Sequence, residues 1–300
     1  MAVYLGSDRV GVSTFYKDET DTNALKSLIE GTLTELIIPD GITTIGDGAL
    51  SGKSTITKIV IPNSVTTIKQ RAFQSCSSLV NVEMGENIES LANEVFAYCS
   101  KLQNLVIPDS VESVGQNLFY NSGIKNVTIG KGLTELSSNM FANCGSLTNF
   151  IIPNNIITIG SYTFYSCRGL KTIDIPDSVT TLDTYTFSSC SNLTTVTIGQ
   201  GVTNIPNGMF SSCSALTNLT IKGDITSIGT SAFSGCTKMY KYDFTHCTSV
   251  PTLAGTNAFN NINASCKIYV PDSLYDEWKV ATNWSTYQSY IYKASEMPTE

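Results

Sequence analysis

The chain has 300 residues and a net charge of −7, with 18 Lys and Arg against 25 Asp and Glu. Nucleic acids and anionic membranes are bound by clustered Lys and Arg, so this charge balance favours neither partner. No stretch approaches the roughly 18 consecutive apolar residues of a membrane span, and we expect no membrane insertion. The opening MAVYLGSDRV also lacks the basic and apolar regions of a secretion signal.

Residues 1–32 do not fit the pattern that governs the rest of the chain. Two short apolar runs, Val3–Leu5 and Val10–Val12, flank a Gly-Ser-Asp turn and predict a hairpin. Asn23 is placed to cap a short helix after it. Because the first coil of a repeat array exposes an open edge, we expect this segment to be an N-terminal cap.

From residue 33 to residue 262 one phrase recurs at a spacing of 23 residues, and its fourth copy is one residue short. The pattern is L-x-x-L-x-I-P-x-x-V-x-x-I, followed by F-x-x-C. A repeat of this length indicates a solenoid, here mainly β, with about ten coils. The repeats begin at Leu33, Ile56, Leu79, Leu102, Ile124, Leu147, Leu170, Leu193 and Leu216, with a degenerate tenth at Met239.

Each repeat contains two short extended segments and one aromatic position. The alternation of Leu36 and Ile38 with exposed neighbours predicts a half-buried strand, which the following Pro or Gly ends. A second short strand follows, and then a ring that we expect to stack on its equivalents in the core. The stretch from this ring to the Cys fits either a tight turn or one turn of helix. The aromatic column is Phe73, Phe96, Phe119, Phe141, Phe164, Phe187, Phe210 and Phe233, with Leu50 in the first coil.

Nine cysteines raise the question of a disulfide framework. Ser122 takes the cysteine position in the fourth repeat, as a packing slot allows and a disulfide does not. Buried thiols packed as small apolar groups are therefore expected rather than disulfides. Seven cysteines share the repeat position, namely Cys76, Cys99, Cys144, Cys167, Cys190, Cys213 and Cys236, and Cys247 and Cys266 lie outside it.

The repeat gives way to a different pattern near the end of the chain. Residues 267–272 repeat the strand-and-proline phrase once more, and Ser273 is a good N-cap for a helix that contains Trp278. Trp284 and Tyr287 follow, and large aromatic residues after a solenoid are typical of a segment that covers its last coil. We expect a C-terminal cap over residues 263–300.

Few residues have the chemistry of a catalytic or metal site. The only histidine, His246, stands beside Cys247, a pairing that suits a nucleophile and a base, but adjacent residues of an extended chain point in opposite directions. No Cys-x-x-Cys spacing suggests zinc. Acidic residues recur after the strand-ending proline, as at Asp40, Asp109 and Asp177, where they suit turns better than calcium. We predict no enzyme activity, no metal and no cofactor.

The outward positions of the first strand supply a candidate binding surface. One column of the repeat has four consecutive asparagines, and the other is apolar in several repeats. Stacked amides can stabilise a sheet or bind a protein or glycan, and exposed apolar residues can mark a contact site or reflect β-propensity alone. The candidate residues are Ile37, Val60, Asn81, Asn104, Val106, Asn126, Asn149 and Ile151.

The phrase from Leu170 to Leu182, with Phe187 and Cys190 after it, resembles the leucine-rich repeats of the BspA-like type. The resemblance covers about residues 33–272, and the ending VPDSLYDEWKVATNW is also similar to that of the family. It implies a right-handed solenoid with a parallel sheet on one face. It also implies a bacterial cell-surface or secreted protein used for adhesion and protein binding.

The leading hypothesis is a non-enzymatic adhesion module, a monomer that presents its sheet face to a protein or host glycan. The second is a structural or receptor-binding part of a phage tail, because the opening VYLGSDRVGV resembles the starts of phage tail-associated proteins. The third is an enzyme with a small site at His246. The predicted segments are an N-terminal cap (1–32), a solenoid (33–262) and a C-terminal cap (263–300).

Overall fold

The computed structural model describes residues 33–298, which fall into two compact units divided between Leu147 and Thr148. The hairpin, short helix and phage-like opening predicted within residues 1–32 lie outside the described residues, and so do residues 299–300. The limits of the predicted segments 1–32, 33–262 and 263–300 remain predictions. Within the described range no helix is both long and apolar enough to cross a membrane.

The first unit is a stack of coils that each contribute two short parallel strands. The first strands of its coils are β1 (Glu35–Ile37), β3 (Lys58–Val60), β5 (Asn81–Glu83), β7 (Asn104–Val106) and β9 (Asn126–Thr128). The second strands are β2 (Thr44–Ile45), β4 (Thr67–Ile68), β6 (Ser90–Leu91), β8 (Ser113–Val114) and β10 (Glu135–Leu136). Pairing is parallel and follows the repeat, so that Glu35 lies beside Lys58 and Lys58 beside Asn81.

The second unit repeats this plan. Its first strands are β12 (Thr172–Ile175), β14 (Thr195–Ile198), β16 (Asn218–Ile221), β18 (Lys241–Asp243) and β20 (Lys267–Val270). Its second strands are β11 (Thr158–Ile159), β13 (Thr181–Leu182), β15 (Asn204–Ile205), β17 (Ser227–Ile228) and β19 (Thr252–Leu253). The predicted mainly β parallel solenoid is thus confirmed, and the chain makes about 11 turns rather than about ten.

One predicted strand is missing from the second unit. The repeat that begins at Leu147 has no first strand, and Asn149 and Ile151 lie in an irregular segment. Its central buried position holds Phe150, where the other regular repeats have Leu, Ile or Val. This larger ring packs inward against Phe164, with ring centroids 5.2 Å apart.

The stretch from the core ring to the Cys is a pair of tight turns, which settles the choice that periodicity left open. Alternate N–H groups bond to different partners: those of Phe96 and Tyr98 donate to carbonyls of the next coil, at 2.9 and 2.8 Å. Those of Ala97 and Cys99 donate to the carbonyl three residues back. These bonds tie one coil to the next within a unit, and the stretch does not form a helix.

The core of each unit is a column of stacked Phe rings, as the sequence predicts. In the first unit successive rings from Phe73 to Phe141 have centroids 5.4–5.8 Å apart and planes within 24°. In the second unit the rings from Phe164 to Phe259 are 5.2–5.7 Å apart. The rings are at most 1% exposed, so the column supplies much of the apolar burial that stabilises the coils.

The end of the chain covers the coil that contains Phe244 and Phe259. Trp278 packs on Phe244 and Trp284 on Phe259, and the Trp284 indole donates to the Pro251 carbonyl at 2.7 Å. The elements here are α1 (Tyr275–Val280), β21 (Ile291–Lys293) and three 3₁₀ helices, Asp272–Leu274, Trp284–Tyr290 and Ala294–Glu296.

The predicted N-cap at Ser273 is wrong. Ser273 lies inside the 3₁₀ helix Asp272–Leu274, and α1 begins after Leu274 with no side-chain cap. The Asp272 carboxylate instead accepts a hydrogen bond from the Ser295 N–H at 2.9 Å, which ties this turn to the end of the chain.

Removing one ring from the middle of the column tests how much the column contributes to stability. Phe119 stacks on Phe96 and Phe141 and is fully buried. We expect Phe119→Ala to lower the free energy of unfolding by about 3–5 kcal/mol, measured by urea unfolding followed by circular dichroism. The control is Val80→Ala, at an exposed position of the same unit, which should change it by less than about 0.5 kcal/mol. Equal stabilities of the two variants would contradict this role.

Candidate binding surface

The outward residues of the first strands form the strand face of the first unit. Burial alternates along each strand, with an exposed, a buried and an exposed residue in β1, β5 and β7. Ile37 is 65% exposed and Val106 61% exposed. These apolar side chains face solvent where the alternating pattern places them.

Only some of the predicted surface residues lie together. Asn81, Asn104, Asn126 and Val106 line a single groove of about 900 Å³ on the strand face. Ile37 and Val60 occupy one column of the register on β1 and β3, outside the lining of the groove, and Val60 is half-buried. Asn149 and Ile151 belong to the second unit, where Ile151 is 85% exposed.

The groove forms where the sheet is interrupted. The first strands pair in two groups, β1-β3-β5 and β7-β9, and β5 is not hydrogen-bonded to β7. Met84 stands at the end of β5 where the other regular repeats have Ile, and it is half-buried, whereas Ile61 and Ile107 are 3% and 1% exposed. Two strand edges with polar main-chain groups therefore face each other across the groove, above a partly apolar floor.

The predicted asparagine ladder is formed at one step. The Asn126 amide donates to the Asn104 side-chain oxygen at 2.8 Å across β7 and β9. Asn81 instead donates to Glu83 on its own strand, at a long 3.5 Å. The side chains of Asn81 and Asn104 are not hydrogen-bonded to each other across the gap between β5 and β7.

The groove is rich in carboxylates. Its lining includes Glu83, Glu86 and Asp109. Lys58 lies beside it between Glu35 and Glu83, with its Nζ 3.0 and 3.1 Å from their oxygens. The hydrogen bonds that Lys58 donates, first to Glu35 and then to Glu83, raise its pKa. Glu83 is thus paired with Lys58, and Asp109 Oδ2 lies 3.7 Å from Lys131 Nζ. Glu86 is the lining carboxylate that has no ion pair within the described residues.

The acidic residues after the strand-ending proline act as turn residues, as predicted. The Asp109 carboxylate accepts the Lys131 N–H at 2.9 Å, and Asp177 accepts the Gln200 N–H at the same distance. Each of these bonds joins one coil to the next. Across residues 33–298 no group of three or more His, Cys, Asp or Glu side chains is arranged to hold a metal ion.

His246 and Cys247 do not form a nucleophile–base pair. The exposed His246 imidazole places its Nε2 2.9 Å from the Gly223 carbonyl, which can only accept, so this nitrogen carries a proton. The Cys247 thiol is buried, and burial raises its pKa to about 11. A thiol in this state is protonated at neutral pH and is a poor nucleophile.

The cysteine column is a set of buried thiols that hydrogen-bond to the neighbouring coil. Cys99 Sγ donates to the Phe73 carbonyl and Cys213 Sγ to the Phe187 carbonyl, both at 3.1 Å. All nine cysteines lie in the described range, and each is a thiol rather than half of a disulfide. Sequence reasoning predicted the burial but not this hydrogen bond.

The fold and the repeat together define a leucine-rich repeat protein of the mainly β type. The model of the BspA type leucine-rich repeat family matches residues 26–147 and 134–265. The chain therefore belongs to the BspA-type leucine-rich repeat family. No curated protein is similar enough to count as a match.

Several solved bacterial proteins are similar to this chain at low sequence identity. A leucine-rich cell surface protein of Faecalibacterium prausnitzii is 21% identical over 87% of this chain and 88% of its own, with a TM-score of 0.45. A leucine-rich repeat protein of Bacteroides ovatus is 18% identical over 97% and 98%, with a TM-score of 0.38. The pneumococcal vaccine antigen PcpA is 17% identical over 89% and 79%, with a TM-score of 0.43.

The thiols provide a direct test of this interior. Burial raises the pKa of Cys76 and Cys190 to about 12 and that of Cys144 to about 11. We expect none of the nine thiols to react with Ellman's reagent in the native protein at mildly alkaline pH, because they are protonated and shielded. All nine should react after denaturation in guanidinium chloride. Rapid labelling of the native protein, or fewer than nine thiols in the denatured protein, would contradict the buried-thiol column.

Proposed function

We propose that the protein is a non-enzymatic adhesion module of the bacterial surface that binds a protein segment in the groove between β5 and β7. The observation that carries the proposal is the interruption of the sheet at this point. It leaves two strand edges, the amides of Asn81 and Asn104 and the exposed Val106 around one groove. Membership of the BspA-type family supports a place at the cell surface or outside the cell.

A protein segment fits this groove better than a glycan does. An extended chain laid over the gap can hydrogen-bond to main-chain groups at its edges, and its side chains can enter the surface beside them. It does not insert as a strand, because Cα atoms of β5 and β7 approach within 8 Å of each other and an inserted strand needs about 9.6 Å. The half-buried Met84 and the exposed Val106 suit apolar side chains, and the Glu86 carboxylate suits Lys or Arg. No aromatic side chain lines the groove among the described residues, so a sugar ring would have no flat surface on which to stack.

Substitution of Val106 tests the groove. Full-length protein is passed over a panel of immobilised extracellular-matrix proteins, and binding is measured by biolayer interferometry. We expect Val106→Ser to weaken binding by about tenfold or more, equivalent to about 1.4 kcal/mol, because it removes an apolar contact at the centre of the groove.

The matched control is Ile37→Ser. Ile37 occupies the same position of the repeat and is equally exposed, but it lies outside the groove. Binding by Ile37→Ser within about twofold of wild type is expected. Loss of binding in both variants would mean that the whole strand face is used, and loss in neither, or no binding to any protein of the panel, would overturn the proposal.

The same experiment separates protein from glycan. Periodate oxidation of the immobilised proteins destroys sugar diols and leaves the polypeptide intact. Binding through the groove should survive this treatment. If the Val106-dependent part of the binding disappears after periodate, the partner in the groove is a glycan and the protein assignment is wrong.

A further inference from the structure

A second exposed cluster lies on the turns that follow the second strands of the first unit. Each turn has two residues with left-handed backbone, one two residues before the core ring and one two residues after it. The second of these positions holds a small residue in every coil but one. The residues are Gly52, Ser75, Tyr98, Asn121, Asn143, Ser166, Ser189, Ser212, Gly235 and Asn261, all with φ between 53° and 78°.

Tyr98 is the exception, with φ of 63°. Left-handed backbone costs free energy for residues other than Gly, and the short polar side chains of Asn and Ser reduce that cost by local hydrogen bonding. A tyrosine has neither the missing Cβ of Gly nor the short hydrogen-bonding side chain of Asn and Ser. The Tyr98 side chain is 42% exposed, so core packing does not account for a tyrosine at this position. Residues held in unfavourable backbone conformations are concentrated at functional sites, which directs attention to the surroundings of Tyr98.

Tyr98 borders a cavity of about 480 Å³, which we call the Tyr98 cavity. The Tyr120 ring of the next coil meets it edge to face, with centroids 5.5 Å apart and planes at 68°. The polar side chains around the cavity are Arg71, Gln74, Glu94 and Asn117. The site is open to solvent and mainly polar, and the two tyrosine rings lie at its border.

The polar groups are held in place by one another. Arg71 Nε donates to Glu94 Oε2 at 2.6 Å, and Gln74 Nε2 donates to the same oxygen at 2.9 Å. Glu94 Oε1 accepts no hydrogen bond from the described residues, and the Asn117 amide group likewise has no partner among them. The cavity therefore offers an oriented acceptor and an amide that a ligand can reach.

We propose that the Tyr98 cavity binds a neutral hexose unit of a glycan. A pyranose ring has a C–H face that packs on an aromatic ring and equatorial hydroxyls that bond in its plane to carboxylates and amides. Tyr98 and Tyr120 supply the aromatic surface, and Glu94 and Asn117 supply the in-plane groups. Because Arg71 and Glu94 neutralise each other, a neutral sugar is favoured over an anionic one.

This site is separate from the β5–β7 groove, since the groove lies on the first strands and the cavity on the turns. It therefore goes beyond the proposed function and does not depend on it. A glycan held at the turns and a protein segment held in the groove would be two independent contacts of one adhesion module.

The test uses full-length protein on an array of neutral hexose oligosaccharides and sialylated ones, followed by isothermal titration with the best neutral binder. The variant is Tyr98→Asn, because Asn121 and Asn143 show that Asn fits this backbone position. We expect it to weaken glycan binding by about tenfold or more. Its thermal stability should equal or exceed that of wild type, since the unfavourable residue has been replaced.

A tyrosine of the second unit provides the matched control. Tyr185 also has left-handed backbone, but its ring is stacked face to face on Tyr162, with centroids 5.1 Å apart and planes within 5°. We expect Tyr185→Asn and the groove variant Val106→Ser to keep wild-type glycan binding. Absence of binding to every neutral glycan, binding to sialylated glycans alone, or wild-type affinity in Tyr98→Asn would each overturn the proposal, and none of these results bears on the groove.

Discussion

The structure depends on hydrogen bonds and apolar contacts that each coil makes with its neighbour. In the turns, alternate N–H groups leave the coil and donate to its neighbour, while the rings between them stack in a column about 5.5 Å per step. A coil taken alone would leave these groups unpaired and its Phe exposed. This is why the inward positions are confined to a few residue types, whereas the outward positions are free to vary.

One pair of neighbouring coils departs from this regularity twice. The coils that begin at Leu79 and Leu102 are hydrogen-bonded through their turns and second strands, but their first strands are unpaired. The same two coils contribute Tyr98, Tyr120 and Glu94 to the cavity at the turns. In a repeat protein, positions that break the common pattern without serving the core are the strongest candidates for function.

Periodicity was sufficient to predict the coils, the Phe column and the buried cysteines, because each of these repeats the same local environment. It also placed the exposed residues of the strand face correctly at Ile37 and Val106. It did not predict the groove, since the loss of pairing between β5 and β7 has no residue pattern of its own. The only visible sign is Met84 in a column of Ile, and a single conservative change in a repeat carries little weight.

The remaining errors have local causes. The missing strand of the repeat at Leu147 coincides with the large ring of Phe150, and the absent cap at Ser273 results from an extra 3₁₀ turn before α1. The turn tyrosines escaped notice for a different reason. The repeat aligns Tyr98 with Ser75 and Asn121, but the left-handed backbone of this column is seen only in the structure.

The thiol-to-carbonyl bonds of the cysteine column have a consequence for where this protein can fold. The sulfurs of Cys76, Cys99, Cys144, Cys190, Cys213 and Cys236 each have a carbonyl acceptor in the coil before them, and covalent cross-linking would have to break that arrangement. Folding therefore requires no oxidant. The native state is therefore equally compatible with reducing and with oxidising surroundings, because its internal chemistry is the same in both.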